Sequence, residues 1–362
     1  AMGAAPMPAA SATLANLPGW ADAPMAASFA AFRRNCATLI VAAPAFGPAC
    51  QAQSALPDTV DDPAARAFFE TWFRPERVGD AGSGFLTGYF EPEIAASRVR
   101  SPDFQVPVYR RPADLVDVDP STVPDGFPAG LSFARRTAAG LVPYPDRAAI
   151  NAGALAGRGL ELAFLADPVD AFFMQVQGSA RLRFADGSTL RVNYAGKTGH
   201  PYTAIGRIVI EEGHIPREAL DYARLRAWLK AHPADAARIM ERNRSYIFFA
   251  PVEGLGEDDG PLGAAGFPLI AEVSLAVDPA HNPFGTPIWI DARLPASEAA
   301  DAPFRRLMVA EDRGSAILGA ARGDVFFGSG EAAGARAGRI RHGATFYRLV
   351  PVSDQAPAGA GG

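Results

Sequence analysis

The sequence predicts a mainly β protein with some helices, built around a small barrel or sandwich. Short β-favouring runs between glycine-rich turns recur through the last third of the chain, at 246–249, 287–291, 305–310, 324–327 and 345–350. Strands at this spacing are typical of small closed β architectures. Near the N terminus, Phe29, Phe32, Cys36 and Leu39 recur at helical spacing, which adds an amphipathic helix to the prediction.

The remaining elements follow from local signals. Asp61 and Asp62 before Pro63 mark the start of a second helix, and the run 84–94 predicts a strand. A further strand is predicted at 171–177. It precedes a hairpin of 181–184 and 189–194, because Asp186-Gly187 suits a tight type I′ turn. Two helices are expected at 217–231 and 234–243, and the Ala- and Pro-rich residues 1–27 are expected to be loosely ordered.

Composition excludes several classes of function. The chain has 362 residues with 34 Lys and Arg against 39 Asp and Glu, a formal net charge of −5. No segment concentrates the basic residues, so a phosphate-neutralising surface for nucleic acid is not expected. No apolar run approaches the roughly 20 residues that a membrane-spanning helix needs. The length allows one large domain or two to three ordinary ones.

The sequence motifs do not indicate a metal site, a nucleotide site or a serine nucleophile. The five histidines are dispersed and form no zinc-protease pair. The glycine pairs around Ser83 and Ser329 lack the third glycine of a dinucleotide-binding loop, and no Gly-Lys-Ser/Thr follows a glycine-rich loop. A Gly-x-Ser-x-Gly nucleophile elbow is also missing. We therefore expect no metal, no nucleotide and no other cofactor.

Carboxylates are the remaining candidates for chemistry. Asp278, Asp312 and Asp324 each stand at the edge of an apolar run and precede turn residues. An aspartate in such a place either contributes to a cleft at strand ends or accepts hydrogen bonds from a turn. Glu91 and Glu93, two residues apart on a strand, form an alternative acid pair or a solvated strand edge.

The two cysteines, Cys36 and Cys50, leave two alternatives open. Their spacing suits a disulfide if the chain is exported. Two buried free thiols, common in cytosolic proteins, would suit the sequence equally well.

Several ordered blocks carry a resemblance to a known family. They are LTGYFEP (86–92), PVYRRP (107–112), FFMQVQGS (172–179), YAG (194–196), GHPY (199–202), IGR (205–207) and NRSYIFF (243–249), followed by the contexts of the three aspartates. From about residue 84 to 349 the chain resembles the membrane-bound lytic murein transglycosylase A family. It departs from the usual pattern at Lys197-Thr198, Ala180, Arg313 and Ser315.

The resemblance implies an architecture of two domains. Residues 1–106 and 243–362 would form a catalytic domain, a double-psi β-barrel with three characteristic aspartates and the N-terminal helices. Residues 107–242 would form an inserted β-rich domain that binds substrate. A groove between the two domains would hold the glycan strand, since clefts at domain interfaces are usual binding sites.

The same resemblance implies a reaction. The family cleaves the β-1,4 bond between N-acetylmuramic acid and N-acetylglucosamine in peptidoglycan without water, forming 1,6-anhydromuramoyl ends. It assigns the single general acid and base to Asp324 and a supporting role to Asp312. Val325, Phe326 and Phe327 would wall off Asp324 and raise its pKa, unless they face the core while Asp324 faces solvent.

Substrate-binding candidates within the family blocks are Thr87, Tyr89, Gln177, Tyr202 and Asp278. Gln177 has a competing interpretation as a residue that stabilises the turn before Gly178. Two other functions compete with the whole assignment. One is a non-catalytic peptidoglycan-binding module, and the other is an ordinary two-carboxylate glycoside hydrolase.

The implied substrate fixes the expected location and partners. We expect the periplasm or cell envelope, with anchoring to the outer membrane through a segment outside this chain. That location favours a disulfide between Cys36 and Cys50. Expected partners are peptidoglycan glycan strands and complexes of cell-wall synthesis or hydrolysis, with no nucleic acid or nucleotide, and the protein is expected to be a monomer.

Overall fold

The computed structural model describes residues 13–296 and 300–352, and the chain divides into two compact units. Unit 1 contains the described residues of Ala1–Gly88, Gly263–Phe327 and Ile340–Gly362, and unit 2 contains Tyr89–Leu262 and Gly328–Arg339. Both ends of the chain therefore build unit 1. The functional division at 106/107 and 242/243 stays a prediction.

The helices and strands are numbered in chain order. The helices are α1 (Ala26–Ala42), α2 (Gly47–Gln53), α3 (Asp62–Trp72), α4 (Arg147–Asn151), α5 (Pro168–Gln177), α6 (Ile205–Glu211), α7 (Tyr222–Ala231), α8 (Pro233–Glu241) and α9 (Glu331–Ala337). The first strands are β1 (Phe73–Val78), β2 (Gly84–Glu91), β3 (Glu93–Ser97), β4 (Val106–Tyr109), β5 (Leu115–Asp117), β6 (Phe133–Thr137), β7 (Gly140–Val142) and β8 (Glu161–Leu165). The others are β9 (Ser179–Arg183), β10 (Thr189–Lys197), β11 (Ile247–Pro251), β12 (Ser274–Ala276), β13 (Pro287–Pro295), β14 (Asp301–Asp312), β15 (Arg322–Ser329) and β16 (Arg341–Pro351). Among the described helices, none is both long and apolar enough to cross a bilayer.

Unit 1 is organised around a closed barrel. Its strands run in the order β1-β16-β13-β14-β12-β15-β2, and a further pairing of β16 with β2 closes six of them into a ring, with β1 attached outside on β16. Strand β2 runs antiparallel to β16, so that Thr87 lies opposite Arg341. Closure leaves no unpaired edge within the ring. The predicted small barrel is confirmed.

A helical layer covers one side of the barrel. The predicted stripe of Phe29, Phe32, Cys36 and Leu39 lies on α1 and is buried, as expected. The indole of Trp20 is buried too, 5.2 Å from the ring of Trp289 on β13.

The expectation of loose order in residues 1–27 is wrong from Thr13 onward, and residues 1–12 lie outside the described part. Two 3-10 turns, Leu14–Asn16 and Trp20–Asp22, form there. Leu14, Leu17 and Met25 enter the core of unit 1. Burial of these large apolar side chains outweighs the Ala- and Pro-rich composition around them.

Cys36 of α1 and Cys50 of α2 are joined in a disulfide, with their Cα atoms 5.6 Å apart. Both residues belong to the buried core of unit 1. The bridge closes a loop with a sequence separation of 14 residues, so it pins α2 against α1. The expectation of a disulfide is confirmed.

Unit 2 is β-rich with a helical layer. Its six-stranded sheet has the order β11-β10-β9-β3-β8-β4, and β5, β6 and β7 form a small separate sheet. The predicted hairpin is β9–β10, in which Arg183 pairs with Thr189. Gly187 in its turn has φ +85°, a left-handed conformation that favours glycine.

The predicted strand at 171–177 is wrong, because these residues belong to helix α5. Asp167 caps the helix by accepting a hydrogen bond from the Val169 amide at 2.8 Å, and Pro168 occupies its first turn. Val169 and Phe172 pack into the helical core, whereas Ala171 and Met174 pack against the sheet. A helix that is apolar on two sides shows no clear helical period, which explains the error.

Two helices of unit 2 also differ from expectation. The predicted helix at 217–231 begins with a 3-10 turn, Arg217–Ala219, and α7 starts only after Asp221. Asp221 accepts a hydrogen bond from the Arg224 amide at 2.7 Å and so caps α7. Helix α6, just after the GHPY block, was not predicted.

Replacing both cysteines, Cys36→Ala together with Cys50→Ala, is expected to lower the free energy of unfolding by about 3 kcal/mol, the entropic value for a loop of roughly 15 residues. Urea unfolding of the variant and of wild-type protein, each with and without reductant, measures the effect. Reductant should lower the free energy of unfolding of the wild type to that of the variant, and it should leave that of the variant unchanged. Equal stability of all four samples would contradict the prediction.

Candidate active site

The centre of the candidate site is a hydrogen bond between two neighbouring barrel strands. Thr87 on β2 donates from Oγ1 to Oδ1 of Asp324 on β15 at 2.8 Å. Leu86 and Val325, the next residues along the two strands, are fully buried in the barrel. Side chains alternate along a strand, so Thr87 and Asp324 lie together on the outer face, where both are partly exposed.

The surroundings of Asp324 alter its acidity. Burial among protein atoms raises the pKa of this carboxyl from 3.8 to about 6, and the charge of Asp312 adds to the increase. The hydrogen bond from Thr87 and the charge of Arg322 act in the opposite direction. A carboxyl with a pKa near 6 keeps part of its acid form close to neutral pH, as a general acid requires.

The predicted apolar wall is divided between two faces of β15. All three of its residues, Val325, Phe326 and Phe327, are buried. Alternation places Phe326 on the side of Asp324 and the other two on the opposite side.

Asp312 stands at the end of β14 and accepts a hydrogen bond from the Ala264 amide at 2.9 Å. Its neighbour Glu311 is fully buried and binds Arg34 through both oxygens at 2.8 Å. Ser274 of β12 also donates to Glu311 at 2.8 Å. Glu311 therefore ties α1 to the barrel at the strand end that carries Asp312. Glu311 was not predicted, because its partner Arg34 is 277 residues away and leaves no local signal.

Asp278 lies two residues after the end of β12 and accepts hydrogen bonds from its own turn and from a second loop. Its carboxylate accepts hydrogen bonds from the amides of Gly319 at 2.9 Å and Ala280 at 3.1 Å. These two bonds lower the pKa of Asp278. The contacts match the alternative of an aspartate that stabilises turns, and its role in binding substrate stays a prediction.

The candidates in unit 2 lie in different settings. Tyr89 is buried, and Tyr202 in the loop before α6 is 42% exposed. Gln177, the last residue of α5, accepts a hydrogen bond from the Phe90 amide at 3.1 Å. That bond holds the end of α5 beside β2, which agrees with a structural role for Gln177. The exposed ring of Tyr202 suits stacking against a sugar, but the binding role of all three residues stays a prediction.

Glu91, the alternative acid, is committed to an ion-pair cluster in unit 2. Its side chain is 1% exposed and accepts hydrogen bonds from Arg181 at 2.6 Å, Arg191 at 3.0 Å and Ser329 at 2.8 Å. Glu93 pairs with Arg183 at 3.0 Å. A buried carboxylate whose oxygens are both occupied has no access to a glycosidic bond. The cluster was missed, although arginines at alternate positions of the β9–β10 hairpin were a signal for it.

The described residues hold no group of His, Cys, Asp and Glu side chains arranged to bind a metal ion.

Two models of known protein families match successive parts of the chain. The model of the MltA specific insert domain matches residues 85–250, and the model of the 3D domain matches residues 273–350. The chain is 34% identical over 291 residues to membrane-bound lytic murein transglycosylase A of Escherichia coli K12, which covers 79% of this chain and 69% of the relative.

Solved structures of related proteins indicate the same family. The crystal structure of the membrane-bound lytic murein transglycosylase from Agrobacterium tumefaciens superposes with a TM-score of 0.86 at 38% identity, over 94% of this chain and 97% of that one. E. coli MltA with bound chitohexaose gives a TM-score of 0.68 at 28% identity, over 91% of each chain.

Fold and site thus define a lyase that cleaves peptidoglycan, a lytic transglycosylase. The chain belongs to the membrane-bound lytic murein transglycosylase A family.

Glu91→Gln is expected to lower the free energy of unfolding by about 3 to 5 kcal/mol. Buried Arg191 loses its charged partner, and buried Arg181 keeps only the exposed Glu257. The matched control is Glu93→Gln, which removes a half-exposed pair and should cost at most about 1 kcal/mol. Denaturant unfolding measures both. A Glu91→Gln protein of normal stability that has lost all activity would instead make Glu91 an acid of the reaction.

Asp324→Asn is expected to stabilise the fold at neutral pH. A carboxyl whose pKa is raised in the folded protein contributes full stability below 3.8, and this contribution is lost as the pH rises through about 6. The neutral Asn avoids that loss, so the variant should gain up to about 3 kcal/mol over wild type near pH 8. Near pH 4 the difference should vanish.

Asp278→Asn is the control for this titration, because the folded-state pKa of Asp278 is lowered. Its carboxylate contributes stability above the unfolded-state pKa, and that contribution disappears as the pH falls. The Asn variant should therefore be less stable than wild type at neutral pH and similar to it in acid. Thermal melting across the pH range measures both variants. A pH-independent effect of Asp324→Asn would show that Asp324 titrates normally.

Proposed function

We propose that Asp324 is the single general acid and base of this lytic transglycosylase. The protonated carboxyl gives its proton to the glycosidic oxygen as the bond from the muramoyl C1 breaks. The C6 hydroxyl of the same muramoyl unit then attacks C1, and the Asp324 carboxylate takes the hydroxyl proton. The products are an N-acetylglucosamine end and a 1,6-anhydromuramoyl end. The observation that supports this role is the raised pKa of Asp324, about 6, on the outer face of the barrel.

One carboxyl is enough for this reaction. A typical glycoside hydrolase needs a second carboxylate as nucleophile or as base for water. Here the nucleophile belongs to the substrate, and its proximity to C1 replaces the second group. Glu91, the other carboxylate considered, is buried in its ion-pair cluster, which also favours a mechanism with a single acid.

Thr87 and Asp312 act through Asp324. Thr87 donates to Oδ1, which fixes the orientation of the carboxyl and leaves Oδ2 as the oxygen that carries the proton. The same bond stabilises the carboxylate after the proton has left. Burial raises the pKa of Asp324, the Thr87 bond lowers it, and the charge of Asp312 raises it further. The resulting pKa of about 6 lies between the values that an acid and a base require.

The glycan strand of peptidoglycan is the proposed ligand. The relative from E. coli was solved with chitohexaose, an oligosaccharide with the same β-1,4-linked backbone. We propose that Thr87, Tyr89, Gln177, Tyr202 and Asp278 contact the strand in this chain. The relatives are named membrane-bound, and we place this protein in the periplasm, held at the cell envelope, where the Cys36–Cys50 disulfide is stable.

Asp324→Asn should abolish turnover while folding and glycan binding persist. General acid or base help is worth about 10² to 10⁴ in rate, and a residue that serves as both should lie at the upper end, about 5 kcal/mol. Asp312→Asn should lose less, and Glu93→Gln, remote from the chemistry, should keep wild-type activity. Release of anhydromuropeptides from murein sacculi measures all three, with thermal melting as the check of folding.

Retention of more than about a tenth of the activity by Asp324→Asn would overturn the assignment. The mass of the products tests the reaction itself, because anhydro products are lighter than hydrolytic ones by one water. Reducing muramic ends would indicate a hydrolase, and sacculi that stay intact would indicate a binding module.

A further inference from the structure

Two arginines flank the candidate acid on three adjacent barrel strands. Arg322 precedes Asp324 by two positions on β15, and Arg341 of β16 lies opposite Thr87 of β2. Residues two apart on a strand share a face, as do residues directly opposite each other. The outer face that carries Thr87 and Asp324 therefore also carries both arginines.

This face is accessible. Arg341 is exposed and Arg322 is partly exposed. The guanidinium of Arg322 lies 5.1 Å from the ring centre of Phe85, which is 38% exposed and two residues before Thr87 on β2. Arg322 also donates to the carbonyl of Gly323 at 2.6 Å. These contacts hold the Arg322 guanidinium over β2, on the side of the acid.

The two arginines on this face form no direct ion pair with a carboxylate among the described residues. Elsewhere in unit 1, Arg34 pairs with Glu311 and Arg305 pairs with Asp291. Within the described residues, neither Arg322 nor Arg341 has a carboxylate within salt-bridge distance. Burial lowers the pKa of Arg322, the charge of Asp324 raises it, and the charge of Arg341 lowers it, so the two cations are near enough to repel each other. Asp324 offsets this charge only when ionised, whereas the proposed reaction begins with Asp324 protonated.

We propose that Arg322 and Arg341 bind a carboxylate of the muramoyl part of the substrate. The inference rests on the proposed function, in which Asp324 acts at the muramoyl C1. N-acetylmuramic acid differs from N-acetylglucosamine by a lactyl ether whose carboxyl is free in a peptide-free strand and amide-linked to a stem peptide otherwise. The stem peptide carries carboxylates of its own. Guanidinium groups recognise a carboxylate through paired, charge-assisted hydrogen bonds.

The site would thus distinguish the two sugars of the strand by charge. A muramoyl unit with a carboxylate gains these contacts, and a neutral N-acetylglucosamine unit in the same position does not. Binding of the anion also supplies a counter-charge while Asp324 is protonated. Selection by charge would therefore place the muramoyl sugar, rather than its neighbour, at the acid.

Binding to the full chain with Asp324→Asn tests the proposal, because this background binds without turnover and removes any effect of the arginines on the acidity of Asp324. Calorimetry would compare chitohexaose, which is neutral, with peptide-free muramoyl oligomers and with oligomers that carry stem peptides. Arg322→Gln or Arg341→Gln should weaken the carboxylate ligands about tenfold, the effect of losing a charged hydrogen bond. Affinity for chitohexaose should not change.

Comparison of the two muramoyl ligands shows which carboxylate the arginines bind. If the arginine variants lose affinity only for peptide-free oligomers, the bound group is the lactyl carboxylate. If they lose affinity only for peptide-bearing oligomers, the bound group is a carboxylate of the stem peptide. Either result supports the proposal. Arg322→Lys and Arg341→Lys keep the charge and should recover part of the affinity. Equal effects on chitohexaose and on the carboxylate ligands, or no effect on any ligand, would overturn the proposal.

A second measurement does not depend on arginine variants that fold. In Asp324→Asn alone, the carboxylate ligands should bind more tightly than chitohexaose, and added salt should reduce that preference by screening. A preference that is missing, or that salt leaves unchanged, would overturn the inference. Failure of the proposed function is distinguishable, because it would show as residual turnover by Asp324→Asn and not as a change in ligand preference.

Discussion

The site of this enzyme depends on the position of one strand, β2, in the barrel. It pairs with β15 on one side and with β16 on the other, although both follow it by more than two hundred residues. This pairing brings Thr87 to Asp324. The register is held by burial of Leu86, because a shift of one residue would exchange the inner and outer faces of the strand. Leu86 would then face outward, and Thr87 could no longer bond to Asp324, the candidate acid.

The buried carboxyl groups of this protein have two kinds of hydrogen-bond partner. Glu311 and Glu91 are buried more completely than Asp324, but each is bound by arginine side chains at hydrogen-bond distance. Their ion pairs join residues that lie far apart in the sequence. Asp324 has a threonine hydroxyl as its direct partner, so desolvation is not fully offset and its pKa rises to about 6. The difference between an ion-pair anchor and a candidate acid lies in the partner and not in the degree of burial.

Local signals predicted the barrel and the hairpin, through strand spacing and Asp-Gly. Cysteine spacing left the disulfide open, and it was favoured only once the family resemblance implied an exported protein. The assignment of the acid to Asp324 rests on the same resemblance and stays a prediction. Helix α5 was missed because two different cores bury its two sides. The Glu91 cluster and the Glu311–Arg34 pair join residues 90 to 277 positions apart. Contacts between residues so distant leave no local pattern in a single sequence. The face shared by Arg322 and Arg341 likewise required knowledge of the strand order.

The construction of the barrel from both chain ends also has a consequence for folding. Most of unit 2 is one continuous stretch, Tyr89–Leu262, whereas the ring cannot close before β16, close to the C terminus, has been made. Contacts between residues so distant in sequence form slowly. Both partners of β2, the strands β15 and β16, lie near the C-terminal end of the chain, so Thr87 meets Asp324 only in a nearly complete molecule. A chain that ends before β15 and β16 therefore cannot form the hydrogen bond between Thr87 and the proposed acid, even if the whole continuous stretch of unit 2 is present.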